Sequence, residues 1–262
     1  MALGNISLTA GMRSNLLSMQ NTSSLLDRTQ ERLSTGKKVN SALDDPVAYF
    51  AAKAHTDRAD DLTIRKDGMN EGIQAIKAAD SGIEAITDLL NQAKSLITSA
   101  RTATDTADLT TQYSEILSQI DDMVSDSTYK GTNLLASDTL TVEFNEDASS
   151  KLDVVGFDAS STGLALDTDM SDLDSAAGAI DDALTTLRTN SQTLSANLAI
   201  VNARLEFTNN MVNTLQEGAD NLTLADMNEE GANMLMLQTR MSLGTTSLSL
   251  TSQAAQSVLR LF

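Results

Sequence analysis

The sequence predicts a mainly α fold: long antiparallel helices with heptad patterning that form a coiled-coil-like rod, with a small β-hairpin in the middle. Apolar residues recur every seven positions over long stretches, which is typical of helices packed along their length. The 262 residues include a single proline, so long helices are not interrupted. Aromatic residues make up only 3% of the chain, so a thick core of large rings is not available.

Two ladders of apolar residues carry the seven-residue spacing. The first ladder consists of Leu62, Met69, Ile76, Ile83, Leu90 and Ile97. The second ladder consists of Leu173, Ile180, Leu187, Leu194, Val201, Thr208, Leu215 and Leu222. Polar Lys66 and Asp80 interrupt the first pattern, and Ser191 stands at a companion position of the second. Heptads kept over this many turns predict two long helices wrapped left-handedly around each other.

Helix boundaries are marked by local signals. Gly36 can end a first helix, and Asp45 followed by Pro46 supplies an N-cap and a first helical position. A long helix is therefore predicted from there to about Arg101. The polar stretch 102–108 is a break, and an amphipathic pattern after it predicts a short helix. The apolar residues of that short helix are Leu109, Tyr113, Ile116, Ile120 and Met123.

Between residues 137 and 170 the apolar period changes to two. The residues that alternate with polar neighbours are Leu140, Val142 and Phe144. This alternation predicts a strand, and residues 152–155 predict its partner. The segment therefore predicts a small β-hairpin, with an irregular polar loop as the alternative. Lys130-Gly131, upstream of the hairpin, predicts a turn.

The two ends of the chain repeat the seven-residue theme more weakly. Their apolar stripes are thin and flanked by Ser, Thr, Asn and Gln, so either helix alone would be marginal in water. We expect these ends to be helical in an assembly and disordered in a lone subunit. The symmetrical order of elements would bring the two ends together.

Charge is distributed unevenly along the chain. Its 18 Lys+Arg and 36 Asp+Glu give a net charge of -18. Residues 1–38 hold five basic and two acidic side chains, and residues 227–262 hold two of each, so acid is concentrated between them. Because like charge is tolerated where water solvates it, we expect packed ends and a solvent-facing middle. Such acidity also argues against a nucleic-acid partner.

No pattern in the sequence indicates a catalytic, cofactor or metal site. The absence of cysteine excludes disulfides and thiolate sites. No apolar run approaches the roughly 20 residues of a membrane span, and the start of the chain does not resemble a cleavable secretory signal. His55 is the single histidine and has no metal-ligand pattern around it. Adjacent carboxylates such as Asp121 and Asp122 diverge on a helix. We expect no enzyme.

Motifs of a known family occur at both ends and in the middle. The N-terminal motifs are Leu25-Leu26, Glu31-Arg32-Leu33-Ser34-Thr35-Gly36, Val39-Asn40-Ser41-Ala42 and Asp44-Asp45-Pro46. The middle motif is Tyr129-Lys130-Gly131-Thr132-Asn133-Leu134-Leu135. The C-terminal motifs are Gln238, Leu243-Gly244-Thr245, Ala254, Gln256-Ser257-Val258-Leu259 and Phe262. In these motifs the chain resembles the bacterial flagellins, in a short form with a reduced outer domain.

The resemblance implies a secreted structural subunit that polymerises with itself into an extracellular flagellar filament for swimming motility. Flagellins are exported unfolded by a type III apparatus, fold at the growing tip under a cap protein, and meet an export chaperone and hook-associated proteins. Residues 1–38 and 226–262 would pair as the inner core, 39–136 and 171–225 would form the shell, and 137–170 the reduced variable region. The assembly interface is expected at Leu16, Met19, Leu26, Leu33, Met234, Met241, Leu248 and Leu259.

One further implication concerns an immune receptor. The stretch 91–96 is similar to the patch that a toll-like receptor reads in some flagellins. Lys94 and Leu96 fit that patch, whereas Gln92 stands where the family has its key arginine. We therefore expect recognition to be weak.

Two other functions fit parts of the sequence. A hook–filament junction protein shares related terminal helices but forms only a short ring. An intracellular coiled-coil scaffold or secretion chaperone would also show heptads. Polymer length distinguishes the first alternative, and presence outside the cell distinguishes the second.

Overall fold

The structure is a computed structural model that describes residues 10–167 and 170–259. Its elements in chain order are α1 (Ala10–Thr35), α2 (Pro46–Ala100), α3 (Ala107–Asp126), β1 (Thr139–Glu143), β2 (Lys151–Val155), α4 (Leu173–Thr223) and α5 (Met227–Leu259). The predicted fold class is confirmed, because long helices pack together and the two strands form one small antiparallel sheet.

The chain divides into two compact units. Unit 1 comprises Met1–Thr56 and Gln216–Phe262, and unit 2 comprises Asp57–Leu215. Unit 1 contains α1, α5 and the two linkers that join them to the rest of the chain. Unit 2 contains α3, the hairpin and the longer parts of α2 and α4. No helix among the described residues is long and apolar enough to cross a membrane.

The core of unit 2 is built from the two ladders. Their apolar residues that are almost completely buried are Met69, Ile76, Ile83, Leu90 and Ile97 in α2, and Ile180, Leu187, Leu194 and Val201 in α4. Tyr113 and Ile120 of α3 join the same cluster. Seven-residue spacing marks the buried faces because residues seven apart lie on the same side of a helix. Asp80 Oδ1 accepts a hydrogen bond from Ser191 Oγ at 2.8 Å, so two polar residues of the ladders satisfy each other.

The start of α2 is as predicted. Asp45 Oδ1 accepts hydrogen bonds from the backbone N–H groups of Val47 and Ala48, each at 3.0 Å. These bonds satisfy two of the four N–H groups that the first turn of a helix leaves free. The helix ends at Ala100, one residue before the expected end, and α3 begins within the polar break.

The predicted hairpin is present. Strand β1 pairs with β2 so that Val142 lies opposite Leu152 and Leu140 lies opposite Val154. The sheet turns Val142 and Val154 towards the core, where both are buried. The alternation of apolar and polar residues therefore separates the packed face from the solvent face.

Several contacts dock the hairpin on the helices of unit 2, and three of them involve residues 142–144. Gly72 of α2 leaves room for Val142, because a Cβ at Gly72 would lie 2.8 Å from Val142 Cγ2. Arg65 forms an ion pair with Glu143. The guanidinium of Arg204 lies 5.2 Å from the centre of the Phe144 ring, which is a cation–π distance. The hairpin is thus held by shape and by charge.

A buried tyrosine in α3 yields a stability prediction. Tyr113 is fully buried, and its hydroxyl has no hydrogen-bond partner among the described residues. Burial raises the pKa of Tyr113, and the Asp167 carboxylate adds to that effect. Because an unsatisfied buried hydroxyl is costly, Tyr113→Phe is expected to raise the free energy of unfolding by about 1 kcal/mol in urea titrations.

Tyr129→Phe is the matched control for that substitution. The hydroxyl of Tyr129 donates a hydrogen bond to Glu71 Oε2 at 2.9 Å, so its removal is expected to lower stability. A loss of stability in Tyr113→Phe as well would show that the buried hydroxyl is satisfied in solution.

Candidate assembly surface

Helices α1 and α5 pair in one antiparallel register. Asn15 Nδ2 donates to Ser247 Oγ at 3.4 Å, and Arg32 Nη1 donates to Glu230 Oε1 at 2.8 Å. Asn15 and Arg32 are 17 positions apart, as are Ser247 and Glu230, so both contacts belong to the same register. Between these contacts Met19 packs beside Gly244. We call the three pairs, Asn15–Ser247, Met19–Gly244 and Arg32–Glu230, the register contacts.

The ion pair between α1 and α5 is partly shielded from water. The side chain of Glu230 is 9% exposed, and that of Arg32 is 33% exposed. Glu230 lies in the first turn of α5, where the helix dipole also favours a negative charge. A carboxylate this buried needs its partner, because an uncompensated buried charge is strongly destabilising.

The linkers at one end of the pair are bonded to each other. Gly36 adopts φ 71°, which a residue without Cβ accepts readily, and its carbonyl accepts from Ala225 N–H at 3.0 Å. Lys38 N–H donates to the Thr223 carbonyl at 2.7 Å, and Lys38 Nζ donates to the Asn221 carbonyl at 3.2 Å. We call these residues, 36–38 and 221–225, the linker clasp. The clasp fixes where α1 ends and α5 begins.

The loop after the clasp is organised by one carboxylate. Asp44 Oδ2 accepts hydrogen bonds from the backbone N–H groups of Ser41 and Asn40, each at 3.0 Å, and from Ser41 Oγ at 3.2 Å. The backbone hydrogen bonds from Ser41 and Asn40 lower the pKa of Asp44 below its ordinary value of 3.8. The charged carboxylate therefore holds this turn closed.

Acid is expected to loosen this loop. The folded pKa of Asp44 lies below the unfolded value, so its contribution is complete above pH 3.8 and is lost as the pH falls through the folded value. NMR shifts of the Asn40 and Ser41 amides, followed from about pH 6 to about pH 3, should report this loss. Asp44→Asn should remove the transition, and an unchanged transition in that variant would assign it to another group.

Large apolar side chains remain exposed on both helices. In α1 they are Leu16, Leu17 and Leu25, and in α5, beyond its first residue, they are Leu235, Met236, Leu243 and Leu250. Leu17 is 62% exposed and Leu243 is 65% exposed. We call these seven residues the exposed apolar set. These exposed apolar residues make the α1–α5 pair the candidate surface for contact with another molecule.

The expected interface residues differ in how far the structure exposes their side chains. Leu16 is exposed. The residues that are half-buried are Met19, Leu26, Leu33, Met234, Met241 and Leu248. The side chain of Leu259 lies outside the described residues. The expected stripe therefore lies mostly at partly covered positions.

Of the exposed apolar set, only Leu16 is among the interface residues expected from the sequence. The sequence of α5 nevertheless contains a periodic signal for other members of the set. Met236, Leu243 and Leu250 form a second ladder with seven-residue spacing. This ladder is offset by two residues from the ladder of Met241 and Leu248. Two residues correspond to about 200° around a helix, so the second ladder lies on the opposite face. A helix that is apolar on two faces needs neighbours on both sides.

The stretch that resembles a receptor patch lies in α2, within unit 2. Lys94 forms an ion pair with Asp181 of α4, which engages its ammonium group. Gln92 is exposed and Leu96 is half-buried. The two residues line a shallow groove with Leu89 and Ile116.

No metal site emerges from the described residues. They contain no group of three or more His, Asp or Glu side chains that could hold a metal ion. His55 lies half-buried in α2, and a Cβ at Gly218 would lie 3.8 Å from its ring. Asp121, one of two adjacent carboxylates, accepts hydrogen bonds from Ser161 and thereby anchors the loop that contains Ser161.

Comparison with known proteins decides the family. The family model of the bacterial flagellin N-terminal helical region matches residues 6–139. The family model of the bacterial flagellin C-terminal helical region matches residues 177–262. The chain belongs to the bacterial flagellin family. It is 30% identical to flagellin FljK of Caulobacter vibrioides over the whole of both chains. It is 25% identical to a flagellin of Brucella melitensis, over 94% of this chain and 95% of that one.

Other flagellins match about half of this chain. The chain is 31% identical to the flagellin of Escherichia coli K12 over 54% of this chain and 30% of that one. The crystal structure of Bacillus cereus flagellin aligns with a TM-score of 0.48 at 16% identity, covering 54% of this chain and 88% of that one. The full-length matches agree with a short flagellin that has no large outer domain.

The resemblance stated from the motifs is therefore confirmed. As a flagellin, this chain is a structural subunit of the bacterial flagellar filament, which is extracellular and serves motility. The surface that assembly requires is then to be sought among apolar residues that one subunit leaves uncovered.

Proposed function

We propose that α1 and α5 form the inner core of the filament and that the exposed apolar set is buried there by neighbouring subunits. In this proposal residues 1–38 and 226–262 are the core segments, 39–136 and 171–225 form the shell around them, and 137–170 is the reduced variable region. The observation that carries the proposal is the exposure of large apolar side chains on both terminal helices. Their burial against other subunits would supply the free energy of assembly.

The charge distribution supports the same arrangement. The terminal segments are nearly balanced, whereas the segment between them carries more than the whole net charge of -18. Close packing of many copies around an axis favours neutral apolar helices, because like charges repel at short range. Acidic surfaces are tolerated on the outside of a filament, because water and salt screen their charges there.

Filament growth would use two different surfaces of each subunit. Contacts of this head-to-tail kind propagate without closing, which yields long helical polymers. The terminal helices would gain their final stability from these contacts, as segments that fold on binding do. A subunit added at the tip would thereby acquire order at the place where it is needed.

Several finer properties belong to the proposal. The chain would be exported unfolded by the flagellar type III apparatus, with an export chaperone, a cap protein and hook-associated proteins as partners. Its absence of cysteine suits a chain that is threaded through a narrow channel. It would act without enzymatic activity, cofactor, nucleic acid or membrane insertion.

A toll-like receptor would recognise this flagellin weakly. Gln92 presents no positive charge, and the ammonium of Lys94 is paired with Asp181. A reporter-cell assay with purified protein measures this directly. Strong activation would contradict the proposal.

Electron microscopy of sheared cell-surface material tests the proposed assembly. Filaments many subunits long that contain this chain are expected, and they should disappear when its gene is deleted. Short rings at the hook end would favour a junction protein. Retention of the chain inside cells with a functional flagellar system would favour a scaffold.

A further inference from the structure

The pairing of α1 with α5 cannot be set by apolar contacts alone. The half-buried Met19, Leu26 and Leu33 recur every seven residues in α1, and Met234, Met241 and Leu248 do so in α5. Sliding one helix by seven residues would bring the two apolar stripes back into an equivalent alignment, because both repeat at that spacing. Heptad helices commonly need a unique contact to choose one register.

The register contacts supply two unique features. Gly244 is a notch in α5, because a Cβ there would lie 2.9 Å from Met19 Cγ and 3.4 Å from its sulfur. At Gly231, in the same helix, a Cβ would meet no atom within 4 Å. The second feature is the Arg32–Glu230 ion pair, since Glu230 is mostly buried and needs that partner.

The register decides where the exposed apolar set lies. Leu17 and Leu25 are carried by α1, whereas Leu243 and Leu250 are carried by α5. A slip of seven residues would shift the two groups relative to each other by about 10 Å along the helices. A neighbouring subunit would then meet a different surface.

We propose that Met19, Gly244, Arg32 and Glu230 are positioning residues that set the register of α1 against α5 and thereby make the subunit competent for incorporation into the filament. The inference rests on the proposed role of these two helices as the assembly surface. The partner is a further copy of this chain, which requires one arrangement of the exposed apolar set.

The notch is tested by Gly244→Leu, with Gly231→Leu as the matched control. Both changes replace a glycine of α5 with a good helix former, so both raise the helix propensity. Only the change at Gly244 displaces Met19. Gly244→Leu is expected to raise the critical concentration for filament growth about tenfold, whereas Gly231→Leu leaves it nearly unchanged. Met19→Ala added to Gly244→Leu should restore growth by making room.

Introduced cysteine pairs report the register itself, because the natural chain has none. Asn15→Cys with Ser247→Cys should form an intramolecular disulfide on oxidation of the filament. The displaced pairs, Asn15→Cys with Arg240→Cys or with Ala254→Cys, should not. In the Gly244→Leu background the native pair should lose most of its cross-linking.

The ion pair is tested by reversal. Arg32→Glu and Glu230→Arg should each impair filament growth, and the two together should restore growth and the native cross-link. Restoration by the swapped pair distinguishes a positioning role from a general loss of stability.

Two results would overturn the inference. One is normal growth with an unchanged 15–247 cross-link in the Gly244→Leu variant. The other is loss of growth while that cross-link forms fully, which would place Gly244 at a contact between subunits. Failure of the unsubstituted chain to polymerise would instead refute the proposed function, while the cross-link would still report the register.

Discussion

Subunits that carry Leu243→Asp are expected to form no filaments. Leu243 is 65% exposed in the subunit, so a carboxylate there costs little before assembly. In the proposed filament core the same carboxylate would be buried without a partner, at a cost of several kcal/mol for each subunit. Because every subunit repeats this cost, polymerisation should fail altogether. Unit 2 should keep its helical circular dichroism.

Val155→Asp is the matched control for this substitution. Val155 is 70% exposed and lies in β2, in the segment proposed to face the medium. Sedimentation of purified subunits after seeding should show normal filaments with Val155→Asp and none with Leu243→Asp. Normal filaments from Leu243→Asp would remove this face of α5 from the assembly surface.

Leu248→Asp separates the two faces of α5. Leu248 is half-buried, so its replacement should disturb a partly covered position as well as assembly. We expect it to abolish filaments while unit 2 stays helical. Normal filaments from this variant would exclude the half-buried stripe from the interface.

Leu187→Ala is expected to lower the free energy of unfolding by about 3 kcal/mol. Leu187 of α4 is fully buried in the core of unit 2, where α2, α3 and α4 contribute side chains. Deleting its branched end removes apolar burial and leaves a cavity that long, tightly packed helices relax into poorly. Urea unfolding followed by circular dichroism measures the change.

Ile200→Ala is the control in the same helix. Ile200 is 45% exposed, so its truncation is expected to cost less than about 1 kcal/mol. Similar losses in the two variants would show that the seven-residue ladder does not mark the stabilising core.

The helical architecture and the hairpin were predictable because their signals are local and periodic. Asp45 and Pro46, two adjacent residues, mark the start of α2. The alternation around Val142 indicates a strand. Each ladder repeats often enough to mark its buried face. Even the polar Asp80 could be placed within the pattern, although its partner Ser191 could not be chosen without the register of α2 against α4.

The assembly surface was only partly predictable. Heptad reasoning selects one stripe for each helix and therefore found Met241 and Leu248, while Leu243 and Leu250 lie on a face that the pattern of a two-helix pair leaves to solvent. The notch at Gly244 is invisible in sequence, because its meaning depends on Met19 lying beside it. Contacts between residues more than 200 positions apart carry no local signal.

The linker clasp sets the order in which the contacts between α1 and α5 form. Because the clasp tethers the two helices at one end, their encounter is intramolecular and its effective concentration is far above that of free subunits. Arg32 and Glu230 lie nearest the tether, so their meeting closes the shortest loop and loses the least chain entropy. Pairing should then proceed like a zipper from Arg32–Glu230 to Asn15–Ser247, which is the last register contact to close and the first to open.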